Sequence, residues 1–291
     1  MRILIGLLIV ISSVLGGYVL AHGVLLALWQ PFELIIIGGA ALGAFIIANP
    51  LPVIHQTGQR IKMLFSNDYQ YHKECYLDTL ALIFMLLDKM RKEGMISLET
   101  DIEAPEQSKI FSNYPDILAR TEIVEFMTDY LRMMVTGTLD AFQLDNLMDI
   151  ELDTRRTEIE QPADALSKTA DSLPGFGIVA AVMGVVITMG SLGGPAEEIG
   201  QHVAAALVGT FLGILLAYGF VAPISIAMEH QAAEESNYFL CIKTCLMAAL
   251  NGYPPPIAVE FGRKSIVSEV RPTFQDLEEM LRSKKSTASR S

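Results

Sequence analysis

Cysteine is scarce, with three in 291 residues: Cys75, Cys241 and Cys245. So small and odd a count excludes a disulfide framework and points to reduced thiols. Charge is scarce too, at 19% of the chain, and its basic part is the minority, with 21 Lys and Arg against 33 Asp and Glu for a net of −12. A basic face for gripping nucleic acid does not fit that balance. The period-two alternation of half-buried strands is missing, and so is any internal repeat. The five histidines (His22, His55, His72, His202, His230) are scattered, and no nucleophile–base constellation or phosphate loop accompanies them.

Two patterns come near to chemistry and fail on context. Gly175-x-Gly177-x-x-Ala180 loosely matches a dinucleotide fingerprint, but no strand precedes it and its glycines open an apolar run. Cys241 and Cys245 share a helical face without further ligands at metal spacing, so they read as buried thiols. The chain is expected to be no enzyme and to hold no cofactor or metal.

What the sequence does have is apolar length. Hydrophobic residues make up 51% of it and the mean hydropathy is +0.39. Residues 3–21, 34–48, 173–192 and 203–227 contain no Asp, Glu, Lys or Arg. A helix rises about 1.5 Å per residue, so roughly 20 residues cross a hydrocarbon core of about 30 Å. The second run is short, but a helix starting at Pro31 and running to Asn49, with Pro50 and Pro52 beyond, is long enough. Four spans follow.

Basic residues set the orientation. Residues 49–172 hold 12 of the 21 and residues 228–291 hold 8, with Arg2 the last; the connections 22–33 and 193–201 hold none. Both termini and the long loop are therefore expected on the cytoplasmic side of the membrane. The first run also resembles a secretory signal peptide, whose apolar part spans about 7–15 residues. Its greater length favours a retained helix.

The expected fold class is an all-α integral membrane protein, four transmembrane helices with a helical cytoplasmic domain. Residues 1–49 form the first two spans with a short periplasmic loop, and 50–172 an acidic cytoplasmic domain. Residues 173–228 form the last two spans, and 229–291 a cytoplasmic helix and tail. In the loop, Tyr76–Met90 is apolar enough for a buried helix, and Ile123, Phe126, Tyr130 and Met134 recur near helical spacing. Asp145–Glu160 makes a third, acidic helix. The fourth span continues as a long helix to Asn251-Gly252, before Pro254-Pro255-Pro256. The basic end, Lys284, Lys285 and Arg290, reads as a solvated terminus.

Glycines at 175, 177, 184 and 190 in the third span, and at 209 and 213 in the fourth, allow close helix approach, to partner helices or within the chain. Gly39 and Gly43 repeat the spacing in the second span, where packing within the chain is expected. Pro174 is expected to open the third span, and Pro223 to free a backbone acceptor within the fourth. The span cores hold no ionisable side chain; Glu33 and His202 lie at their edges, and the polar groups are hydroxyls (Thr188, Ser191, Thr210, Tyr218, Ser225). If ions pass, the carboxylate is expected to come from another subunit.

The third span DSLPGFGIVAAVMGVV (171–186), the fourth ALVGTFLGILLAYGFVAP (206–223), the tail NGYPPPIAVEFGRK (251–264) and the loop GMISLETDIEAPEQSKIFSNYP (94–115) closely resemble the MotA family of flagellar-motor stator subunits. That resemblance implies a pentamer around a dimer of MotB, which brings the proton-binding aspartate and the peptidoglycan anchor, and a cytoplasmic domain that pushes the rotor protein FliG. Carried over by position, Pro174 and Pro223 couple ion flow to movement and Thr210 lies near the ion path. Arg91 and Glu99 engage the rotor. Ala181 stands where sodium-driven relatives carry a hydroxyl, which implies proton coupling. The alternatives are a sodium-driven stator, an ExbB/TolQ-type energiser, expected to have three spans, and a membrane scaffold without ion flow.

Overall fold

The computed structural model describes residues 2–66, 71–190, 193 and 195–288, without the side chains of 198 and 283–288. Every regular element among the described residues is helical. α1 (Arg2–Leu20) is apolar on all sides. A single turn, α2 (Leu25–Leu28), leads into α3 (Pro31–Ala48), where Pro31 supplies a φ already suited to the first helical turn. Asn49 is extended ahead of Pro50, and α4 (Leu51–Ser66) follows. α5 (Lys73–Glu93) carries Arg91 and Lys92 in its last turn, where positive charge suits the helix dipole. Gly94, at φ +89°, ends it with a backbone turn that a side chain would strain. Short helices α6 (Glu99–Glu103) and α7 (Pro115–Leu118) precede α8 (Thr121–Thr136), which buries Ile123, Phe126, Tyr130 and Met134 as the spacing expects.

α9 (Ala141–Gly190) is one helix of 50 residues with Pro162 and Pro174 inside it. Pro174, expected to open the third span, therefore lies inside a helix and does not start one. The loss of charge at Leu173 marks a change of surroundings only, since a helix satisfies its own backbone on either side of it. α10 (Ala196–Ile214) passes through a π-helical stretch, Leu215–Val221, into α11 (Ala222–Leu250). The wide turns fall just before Pro223, which lacks the amide donor that an α-helix would direct to Gly219. Asn251 and Gly252 end α11 as expected, but the prolines then start a helix: Pro254 is the cap of α12 (Pro255–Ser265). α13 (Phe274–Ala288) is helical through positions 284 and 285, where a solvated terminus is expected; Arg290 and Ser191 lie outside the described residues.

The chain divides into two units, Met1–Asp68 with Glu158–Ala232, and Tyr69–Thr157 with Ala233–Ser291. These limits cut across the four segments expected from charge. The first unit holds apolar helix of spanning length from all four candidate spans. The second has an aromatic core in which Tyr76, Phe84, Phe111, Tyr130, Tyr238 and Phe239 are fully buried. Phe126 meets Phe239 edge-on at 5.3 Å, and the Arg155 guanidinium lies 4.2 Å from the Phe239 ring centre. Lys243 binds Asp145 at 2.8 Å and Asp149 at 2.6 Å. Burial alone would lower its pKa, but the two carboxylates outweigh this and raise it.

Cys241 and Cys245 are buried, as expected, and Cys75 is buried as well. Cys241 Sγ donates to the Gly262 carbonyl at 3.3 Å, and burial pushes the Cys75 thiol up. Among the described residues no group of three His, Cys, Asp or Glu is placed to hold a metal ion.

Candidate functional site: a glycine seam and a charged turn

The sites expected from sequence fall in two places, one in each unit. The first is the seam between α9 and α10. Small side chains bring these helices nearly to backbone contact: a Cβ on Gly213 would lie 2.8 Å from Gly177 Cα and 2.8 Å from the Leu173 carbonyl oxygen. One on Gly184 would lie 2.8 Å from Ala206 Cβ. Four of the six glycines, at 177, 184, 209 and 213, thus pack within the chain, whereas Gly175 and Gly190 face open space. Gly39 and Gly43 are open as well, so the expected packing of the second span through them does not occur. The same spacing does not fix which helix face is covered.

Pro174 follows Leu173 at the Gly213 end of this seam. A Cβ on Gly177 would lie 3.4 Å from Thr210 Cα, and one on Gly209 would lie 3.4 Å from the Ala181 nitrogen. The backbones of Ala181 and Thr210 thus border this seam, and Pro174 is next in sequence to Leu173 at its end. Pro223 lies beyond the π-helical stretch, exposed in this chain. The Thr188 hydroxyl is spent on its own helix, donating to Gly184 O at 2.8 Å, while Tyr218 is exposed.

Glu33, expected at the edge of the second span, stands in the first turn of α3 and is packed against this seam. Glu33 is 7% exposed, and its Oε2 would lie 2.9 Å from a Cβ on Gly209. A carboxylate of this chain is therefore buried against two of the apolar helices, a packing the sequence reading did not include. The missed signal is Leu25–Leu28: with it the apolar helical stretch begins at Leu25 and runs to Ala48, enclosing position 33.

The second place is the turn between α5 and α6. Arg91 and Glu99 are exposed on either side of Gly94 and a 3₁₀ turn, Met95–Leu98. Lys89 Nζ reaches Asp101 Oδ2 at 2.6 Å beneath them, and Ser108 Oγ donates to the other carboxylate oxygen. Two helix ends are thereby tied together, with both outer charges left facing outward. Met95 and Ile96 stand exposed between them.

Residues 4–94 match the family described as Motility protein A N-terminal, and residues 119–239 the MotA/TolQ/ExbB proton channel family. The Motility protein A of Salmonella typhimurium is 50% identical over 97% of this chain and 95% of its own. That of Escherichia coli is 49% identical over 98% and 96%, and the Chemotaxis protein LafT of Vibrio parahaemolyticus 39% identical over 97% and 98%. Among solved structures, C. jejuni MotAB has a TM-score of 0.75 at 15% identity, covering 94% of this chain and 98% of that one. The flagellar MotAB stator complex of Bacillus subtilis gives 0.72 at 22% identity, covering 95% and 98%, and both share the fold. Identity of this extent, spread over nearly the whole of both chains, places the chain in the motility protein A family.

Proposed function

We infer that the chain is a stator subunit of a bacterial flagellar motor, a membrane protein that joins a MotB-type partner to conduct protons and convert their flow into torque. Near full-length identity to motility proteins carries this reading. An ExbB/TolQ-type energiser is not favoured, because those relatives run through the charged turn as well as the spans.

In this reading five copies surround two partner chains, with both termini cytoplasmic. The partner supplies the cycling aspartate and the peptidoglycan anchor. Pro174, Ala181 and Thr210 line this chain's side of the path, and Pro174 and Pro223 transmit its changes of state to the long helices. Two helices that touch through glycine slide past each other without side-chain interlocking, so a small change in charge nearby can shift one against the other. Arg91 and Glu99 present opposite charges to FliG, which suits steering and register during repeated contact. Absence of a hydroxyl at Ala181 supports proton over sodium passage, since a dehydrated sodium ion needs several oxygen ligands.

The test is complementation. Expression of this chain with the partner encoded beside it, in cells lacking their own stators, is expected to restore rotation. A stable membrane complex with its partner that never drives rotation would identify a scaffold instead.

A further inference from the structure

We propose that Glu33 is a proton-binding site on this chain's own side of the ion path, taking a proton before the partner's carboxylate does. The proposal rests on the stator reading above.

Glu33 is 93% withdrawn from solvent, and among the described residues its Oε2 accepts no hydrogen bond. It meets the seam at Gly209, next in sequence to Thr210; a Cβ placed there would be 2.9 Å from Oε2, 3.2 Å from Ala180 Cβ and 3.4 Å from the Ala181 nitrogen. The carboxyl thus reaches Gly209, which adjoins Thr210 in sequence and faces the Ala180–Ala181 stretch of α9. An ionised carboxylate without a partner is costly in such surroundings, so the group must be neutralised for part of its time.

The elements packed around it bring no fixed cation. α2 and α3 carry no other ionisable side chain, and α9 from residue 172 to 190 carries none. On α10 the titratable groups are Glu197 and Glu198 in the first turn, and His202 seven residues, about two turns, before Gly209. Of Ala180, Ala181, Gly209 and Thr210, Thr210 alone carries a side-chain oxygen. That set suits a proton rather than a sodium ion.

The step conserves atoms and charge. A hydronium ion gives its proton to Glu33, forming an O–H bond and leaving water. That bond then breaks as the proton passes through water to the partner's carboxylate, and the Glu33 carboxylate is restored. A first-turn carboxylate also favours the dipole of α3. A purely structural role of that kind would tolerate a neutral amide and would not respond to external pH.

The experiment uses the full chain with its partner in cells lacking other stators, and reads rotation speed per engaged unit, from stepwise speed increments, across external pH. Glu33→Gln is expected to lower that speed several-fold and to flatten its pH profile, and Glu33→Asp to restore part of both. Unaltered speed per unit at every pH in Glu33→Gln would overturn the proposal. If Glu33→Gln does not accumulate, Gly209→Ala decides on the same readout. It keeps the carboxyl but crowds it, so slowed rotation with a shifted pH profile supports the site and an unchanged profile overturns it. Failure of the unmutated chain to drive rotation would overturn the stator reading and this site with it. Failure confined to the Glu33 comparison would overturn the site alone.

Discussion

Lys89 and Asp101 form an ion pair of 2.6 Å, and this bond closes the turn from which Arg91 and Glu99 project. Asp101 is 6% exposed, so removing its cation leaves a carboxylate with the Ser108 hydroxyl alone. Lys89→Ala is expected to destabilise the second unit by about 2 kcal/mol, below the loss for a fully buried pair because Lys89 keeps some solvent. Thermal denaturation of the purified complex measures this. Swimming should slow with Arg91 and Glu99 unchanged, because the charges lose their spacing; an unaltered melting temperature would contradict the role.

The outer pair is tested by reversal. The double substitution Arg91→Glu with Glu99→Lys is expected to cripple motility while membrane abundance and partner binding persist. Single changes should be milder and sensitive to ionic strength, as exposed charges are. Full swimming by the double variant would remove the rotor assignment.

The seam predicts a contrast among glycines that sequence alone does not draw. Gly213→Ala and Gly184→Ala put a methyl against Gly177 and Ala206, and overpacking of that kind typically destabilises by about 1–3 kcal/mol. Gly39→Ala meets nothing within 4 Å in this chain. Thermal stability in detergent should fall for the first two and hold for the third.

Acid affects the second unit through Asp276. Lys73 at 2.7 Å, helped by Thr273, holds its carboxyl down at about 2. A depressed carboxylate adds stability that is complete above its unfolded pKa of about 3.9 and is lost as pH falls toward the folded value. Protection against hydrogen exchange in α13, relative to the intrinsic rate at each pH, is therefore expected to fall between about pH 4 and 2. Lys73→Met should remove most of that pH step, and an identical step in the variant would assign it to other groups.

Much of this architecture was legible in residue spacing. Ile123, Phe126, Tyr130 and Met134 mark the buried face of α8, because a helix in water must hide one stripe. The four apolar stretches were legible for the complementary reason, since hydrocarbon admits no charge over that length. The continuation of α9 through Pro174 was not legible, because charge patterning reports the surroundings and not the helix end. The burial of Glu33 was not legible because a connection of twelve residues hides the turn Leu25–Leu28 that precedes it. Gly39 and Gly43 show the limit of spacing rules: small residues permit close approach, and only the surrounding chain decides whether it happens.

Proton-driven torque is tested most directly by the rotation speed of motors carrying only this stator, read while each ion gradient is removed in turn. Replacement of sodium at constant ionic strength should leave the speed unchanged, and collapse of the proton gradient should stop rotation. Rotation that survives loss of the proton gradient and stops without sodium would contradict the account.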